Sequence, residues 1–104
     1  MSTTWSLTKK EMIDFLQAIK ELLNKTFGFK EIFLYGSYAK DSFHTNSDID
    51  LLIFADKTKK TYANLLQAEK FLRDNLHSKI DLVFSESLNP IIATAIQQEL
   101  IKIE

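Results

Sequence analysis

The sequence predicts an α/β fold, a small mixed β-sheet packed with helices. Three observations carry this. Short apolar runs rich in aromatic and branched residues are too short to be helices. They alternate with longer segments whose apolar residues recur every three or four positions, the mark of a helix with one buried face. Only two glycines and one proline punctuate the chain, and Gly28, Gly36 and Pro90 fall at the breaks between such segments. A chain of 104 residues, 45% apolar and 26% charged, is expected to form one domain over 1–104 with one core rather than two.

The elements follow in order. Thr8 with Glu11 has the form of a capping box. Met12, Phe15, Leu16, Ile19, Leu22 and Leu23 then mark one apolar face, so a first helix is expected over 8–25. After Gly28, the run Ile32-Phe33-Leu34-Tyr35 stops at Gly36 and reads as a buried strand. Residues 37–47 turn polar, which suggests one helical turn and then a loop. A second strand is expected over 48–54, and a long helix over 58–76 carrying Tyr62, Leu65, Leu66, Phe71 and Leu72. A third strand is expected over 80–84. Asn89 before Pro90 has the form of an N-cap with proline at the first helical position, which starts a last helix over 90–99. Residues 100–103 supply a fourth, edge strand.

Composition removes several function classes. Thirteen Lys and Arg against 14 Asp and Glu leave a formal charge of −1, too balanced for a protein that coats nucleic acid or a membrane surface by bulk charge. With no cysteine there is no disulfide framework, thiolate zinc site or cysteine nucleophile. No apolar stretch approaches the length of a membrane span and no leader pattern opens the chain, so the expected compartment is the cytoplasm.

The chemistry concentrates in Ser47-Asp48-Ile49-Asp50-Leu51-Leu52-Ile53. Side chains alternate along a strand, so Asp48 and Asp50 are expected on one side and Ile49, Leu51 and Ile53 on the other. Two carboxylates a few ångströms apart repel by ~1 kcal/mol in water and ~4 kcal/mol at an effective dielectric of about 20. A divalent cation removes that cost, and ligands that are all oxygen suit Mg²⁺ or Mn²⁺. Asp81, an acid inside the apolar third strand, joins them if the second and third strands are neighbours, which gives a two-metal site its ligands. Gly36-Ser37 at the end of the first strand offers close backbone approach, a hydroxyl and free N–H groups, a small cradle for phosphate. Alone, a Gly-Ser is usually a turn and an Asp-x-Asp often an exposed pair. Their order and spacing together favour the functional reading. His77, at the end of a helix, reads as a cap, and Lys57, Lys59 and Lys60 as a solvated basic run.

This combination resembles the nucleotidyltransferase fold of the DNA polymerase beta superfamily, most closely its minimal nucleotidyltransferases. The family pattern stands here as Gly36-Ser37-Tyr38-Ala39-Lys40-Asp41, then Ser47-Asp48-Ile49-Asp50-Leu51, then Asp81, and the resemblance spans residues 30–104. Members commonly carry Arg-Gly after the alanine, where this chain has Lys40-Asp41. The resemblance implies transfer of a nucleoside monophosphate, AMP from ATP, to an acceptor hydroxyl, with two Mg²⁺ ions, or Mn²⁺, at the site. It assigns Asp48, Asp50 and Asp81 to catalysis and metal binding, and Gly36, Ser37 and Lys40 to the nucleotide. Minimal nucleotidyltransferases of this kind resemble the antitoxin half of two-gene modules. The implied acceptor is a tyrosine of a HEPN-domain toxin encoded by a neighbouring gene, with which the chain would form an oligomer, without nucleic acid or membrane. The alternative from a different class is a binding module that neutralises its partner by contact alone, which the departure at Lys40-Asp41 keeps open.

Overall fold

A computed structural model of the chain describes residues 8–36, 39 and 48–104. Helix α1, Lys9–Phe27, starts at the expected capping box. Thr8 Oγ1 accepts from the Glu11 N–H at 3.1 Å, and Glu11 Oε1 accepts from the Thr8 N–H at 3.0 Å. The helix runs two residues past its expected end because Gly28, at φ +73°, closes it with a left-handed cap donating to Asn24 and Leu23 carbonyls. That cap turns the chain directly into β1, Phe29–Tyr35, which therefore begins three residues before the expected run. Its register against β2, Ile49–Ala55, breaks between Phe29 and Glu31.

β2 is followed by a 3₁₀ turn, Lys57–Lys59, and helix α2, Tyr62–Leu76, so the expected helix over 58–76 divides where Thr61 caps the Asn64 N–H at 3.1 Å. His77 ends α2 in the left-handed region at φ 53°, its backbone N–H donating to the Arg73 carbonyl. β3 occupies Ile80–Phe84 as expected. Helix α3, Pro90–Ile96, is shorter than expected, its last turn tightening into a 3₁₀ turn at Gln97–Glu99. The edge strand β4 is Ile101–Lys102.

The sheet order is β3-β2-β1-β4. β1 is antiparallel to β2 and β4, whereas β2 and β3 run parallel, which α2 makes possible as the crossover between them. One sheet face carries Ile32, Leu34, Ile49, Leu51, Ile53, Ile80 and Leu82, all buried with Met12, Leu16, Leu23 and Phe27 of α1 and Ala68, Leu72 and Leu76 of α2. This is the main core. The helix faces differ in detail from the expected ones. Leu22 is 46% exposed, as are Tyr62 at 74% and Leu66 at 44%, while Phe27, Ala68 and Leu76 are buried in their place. Each helix contacts the sheet along one narrow stripe, and apolar residues one position off it face outward.

Candidate active site

The second sheet face carries the chemistry. Across an antiparallel pair, residues opposite one another share a face, and β1 sets Tyr35 opposite Asp50. β2 and β3 set Asp50 beside Asp81 in parallel register. Tyr35, Asp50 and Asp81 thus form a row across three strands, on the side away from the main core. The condition attached to Asp81, that its strand neighbour β2, is met.

Asp48 precedes the first residue of β2, so strand alternation does not by itself place its side chain. The neighbouring Ile49 N–H donates to the Lys79 carbonyl at 2.9 Å and locks the entry of β2 against the entry of β3. The three acids act on one another electrostatically. The Asp50 carboxyl is pushed up to about 6, first by burial and then by the charges of Asp81 and Asp48. Tyr35 is pushed up to about 12 by burial and then by Asp50 and Asp81. The excess is therefore of negative charge. All the donors are hard carboxylate oxygens, a set that fits Mg²⁺ or Mn²⁺ and no softer metal.

Of the three acids expected together, Asp50 and Asp81 are set side by side by the β2–β3 register, and Asp48 and Asp81 both act electrostatically on Asp50. Among the described residues, no group of three or more His, Cys, Asp or Glu stands close enough to hold a metal ion. The register fixes only the Asp50–Asp81 pair, since Asp81 is exposed and Asp48 lies outside the strand.

Gly36 follows β1 at φ +77°, and a β-carbon built there would overlap Asp50 Oδ2 and stand 3.1 Å from Asp50 Cγ. The close backbone approach expected of this glycine is thus made to the acid. Its N–H donates to Glu99 Oε1 at 3.3 Å. Ser37 and Lys40, expected to touch the nucleotide, lie outside the described residues, as do Tyr38, Asp41 and Ser47. Ala39 is described, and its carbonyl accepts from Lys9 Nζ at 3.1 Å, which ties the segment after Gly36 to the start of α1.

Two neighbours of the site escaped sequence reasoning. Tyr35 was legible as a strand residue, but its pairing with Asp50 is a consequence of register. Glu99 lies 63 residues from Gly36, and no local signal connects them.

A family model, Polymerase beta, Nucleotidyltransferase, matches residues 17–103. The chain belongs to that nucleotidyltransferase family. MJ0128 of Methanocaldococcus jannaschii is 35% identical to this nucleotidyltransferase over 95 residues, covering 90% of this chain and 96% of its own. The protein adenylyltransferase MntA of Thermococcus cleftensis is 30% identical over 95 residues, covering 91% of this chain and 95% of its own. Among solved structures, a tri-AMPylated Shewanella oneidensis HEPN toxin in complex with its MNT antitoxin aligns with a TM-score of 0.66 at 22% identity. That match covers 89% of this nucleotidyltransferase and 72% of that chain, and at this identity it bears on the fold. Among the described residues, no helix is long and apolar enough to cross a membrane.

Proposed function

We propose that this nucleotidyltransferase transfers AMP from ATP to a tyrosine hydroxyl of a HEPN-domain toxin and so acts as its antitoxin. The observation that carries the reading is the row Asp50–Asp81 with the Gly36 backbone packed on Asp50, which brings a carboxylate pair and the glycine after β1 into contact. Support comes from the adenylyltransferase MntA at 30% identity and from the AMPylated toxin–antitoxin complex of the same fold. The catalytic module spans residues 1–104, and its partner supplies the acceptor.

In this reading Gly36, Ser37 and Lys40 hold the phosphates, with backbone N–H groups and a cation as the natural ligands for them. Asp48 and Asp50 hold the divalent cations, and Asp81 holds the one on the acceptor side. Mg²⁺ held there would neutralise the phosphates and lower the pKa of the attacking hydroxyl. The tyrosine oxygen forms a bond to the α-phosphorus while the bond from that phosphorus to the α–β bridging oxygen breaks, and pyrophosphate leaves. The tyrosine proton passes to Asp81, the exposed acid of the row and the one a protein-borne acceptor reaches. Burial of Asp50 favours its neutral form, so a cation at the site also keeps that carboxylate ionised.

The deciding experiment incubates the protein with ATP labelled at the α-phosphate, Mg²⁺ and the HEPN protein encoded beside it. Label on a toxin tyrosine, lost in Asp50→Asn, is the expected result. Complex formation without label would sink the enzymatic reading and leave a binding module.

A further inference from the structure

Glu99 ends the 3₁₀ turn Gln97–Glu99, just before β4. Its Oε1 takes the hydrogen bond of the Gly36 N–H, the first donor of the turn that the proposed function gives to phosphate. This inference rests on that reading. A carboxylate oxygen and a phosphate oxygen are equivalent acceptors for a backbone N–H, both anionic and both favoured over neutral ones. Glu99 also brings a further carboxylate to a place where Gly36 already lies against Asp50.

The element that carries Glu99 is lightly held. β4 is two residues long and pairs only Phe33 with Lys102 and Leu34 with Ile101. Its firm point comes later, at Ile103, fully buried and donating to the Ile32 carbonyl at 2.8 Å. The short segment between the buried Ile96 and Ile103 has only these two backbone pairs, and such a segment belongs to the part of a fold that shifts at least cost.

We propose that Glu99 sets the nucleotide affinity of the site. Its carboxylate occupies the Gly36 N–H when no nucleotide is bound and yields that donor to a phosphate oxygen when the triphosphate enters, so nucleotide binding is weaker than the turn alone would allow.

The alternative is that Glu99 is only a brace that shapes the turn. Glu99→Gln separates the two, because it keeps the shape and the acceptor oxygen but removes the charge, and Glu99→Ala removes both. The measurement is calorimetric titration of the full chain with Mg²⁺ and the non-hydrolysable analogue AMP-PNP, beside a thermal melt of each variant. The expected result is a Kd lowered about tenfold in Glu99→Gln, with the variant melting as a single folded species. A Kd unchanged or raised in both variants, while the parent binds normally, would overturn the proposal and establish the brace. Absence of binding in the parent and both variants would overturn the nucleotide reading beneath it, and the proposal with it.

Discussion

The backbone of Gly36 is pressed against the carboxylate of Asp50 so closely that no β-carbon fits between them. The glycine proposed to receive phosphate and the acid proposed to receive a cation are thus in van der Waals contact, although the chain separates them by fourteen positions. Phosphate and divalent cation enter such a site as one unit, since each neutralises what repels the other.

Gly36→Ala tests that contact. The residue needs φ +77° and the space of Asp50, so alanine is strained twice. The expected cost is about 1–3 kcal/mol of stability, read as a lower melting temperature, together with loss of transfer. A variant that melts and transfers like the parent would show that the turn and the acid are not in contact.

Asp50→Asn removes a repelled charge with little change of shape. Without metal the variant is expected to melt higher than the parent, by about 4–8 °C for a gain of ~1 kcal/mol, and to lose transfer activity. The parent is expected to gain stability from millimolar Mg²⁺ plus nucleotide, because a ligand of the folded state stabilises it by mass action, and the variant to lose most of that gain. Paired melts with and without the ligands check this. A variant that melts lower yet still responds fully to them would remove Asp50 from the metal site.

The contribution of Asp50 to the pH dependence of the metal-free protein has a definite sign. The Asp50 pKa is raised from 3.8 to about 6, so between these values the folded state binds more protons than the unfolded one. This group's contribution is therefore full below pH 4 and is lost as pH rises through 6. In denaturant titrations across this window, the stability of the parent relative to Asp50→Asn should fall as pH rises. Equal slopes in parent and variant would contradict the assignment.

Asp81 is exposed, and no ion pair or hydrogen bond to it is seen among the described residues. Asp81→Asn, which relieves the same repulsion of Asp50, is expected to leave the metal-free protein at least as stable as the parent while reducing transfer by about 10²-fold or more. Rates of labelled AMP transfer beside a thermal melt distinguish a proton acceptor from a surface residue.

Nucleotide binding should need the cation. The parent is expected to bind AMP-PNP with Mg²⁺ or Mn²⁺ and to lose most affinity in excess EDTA, since phosphates otherwise face Asp48, Asp50 and Asp81 bare. Equal affinity with and without EDTA, by calorimetry, would contradict the site.

Local pattern was enough for the elements themselves. A capping box started α1, Asn89-Pro90 started α3, and an aliphatic run set the bounds of β3, because caps and periodicity act over a few residues and are written in neighbouring positions. Asp50 and Asp81 were legible for the same reason, each a charge inside an apolar strand. Their geometry was not. That β2 pairs with β3 in a register setting Asp50 beside Asp81, that Tyr35 lies across from Asp50, and that Glu99 reaches the Gly36 N–H all depend on contacts between segments far apart in the chain. Such contacts are chosen by the packing of α1 and α2 on one sheet face, a balance of buried area over the whole core that no single stretch of sequence contains.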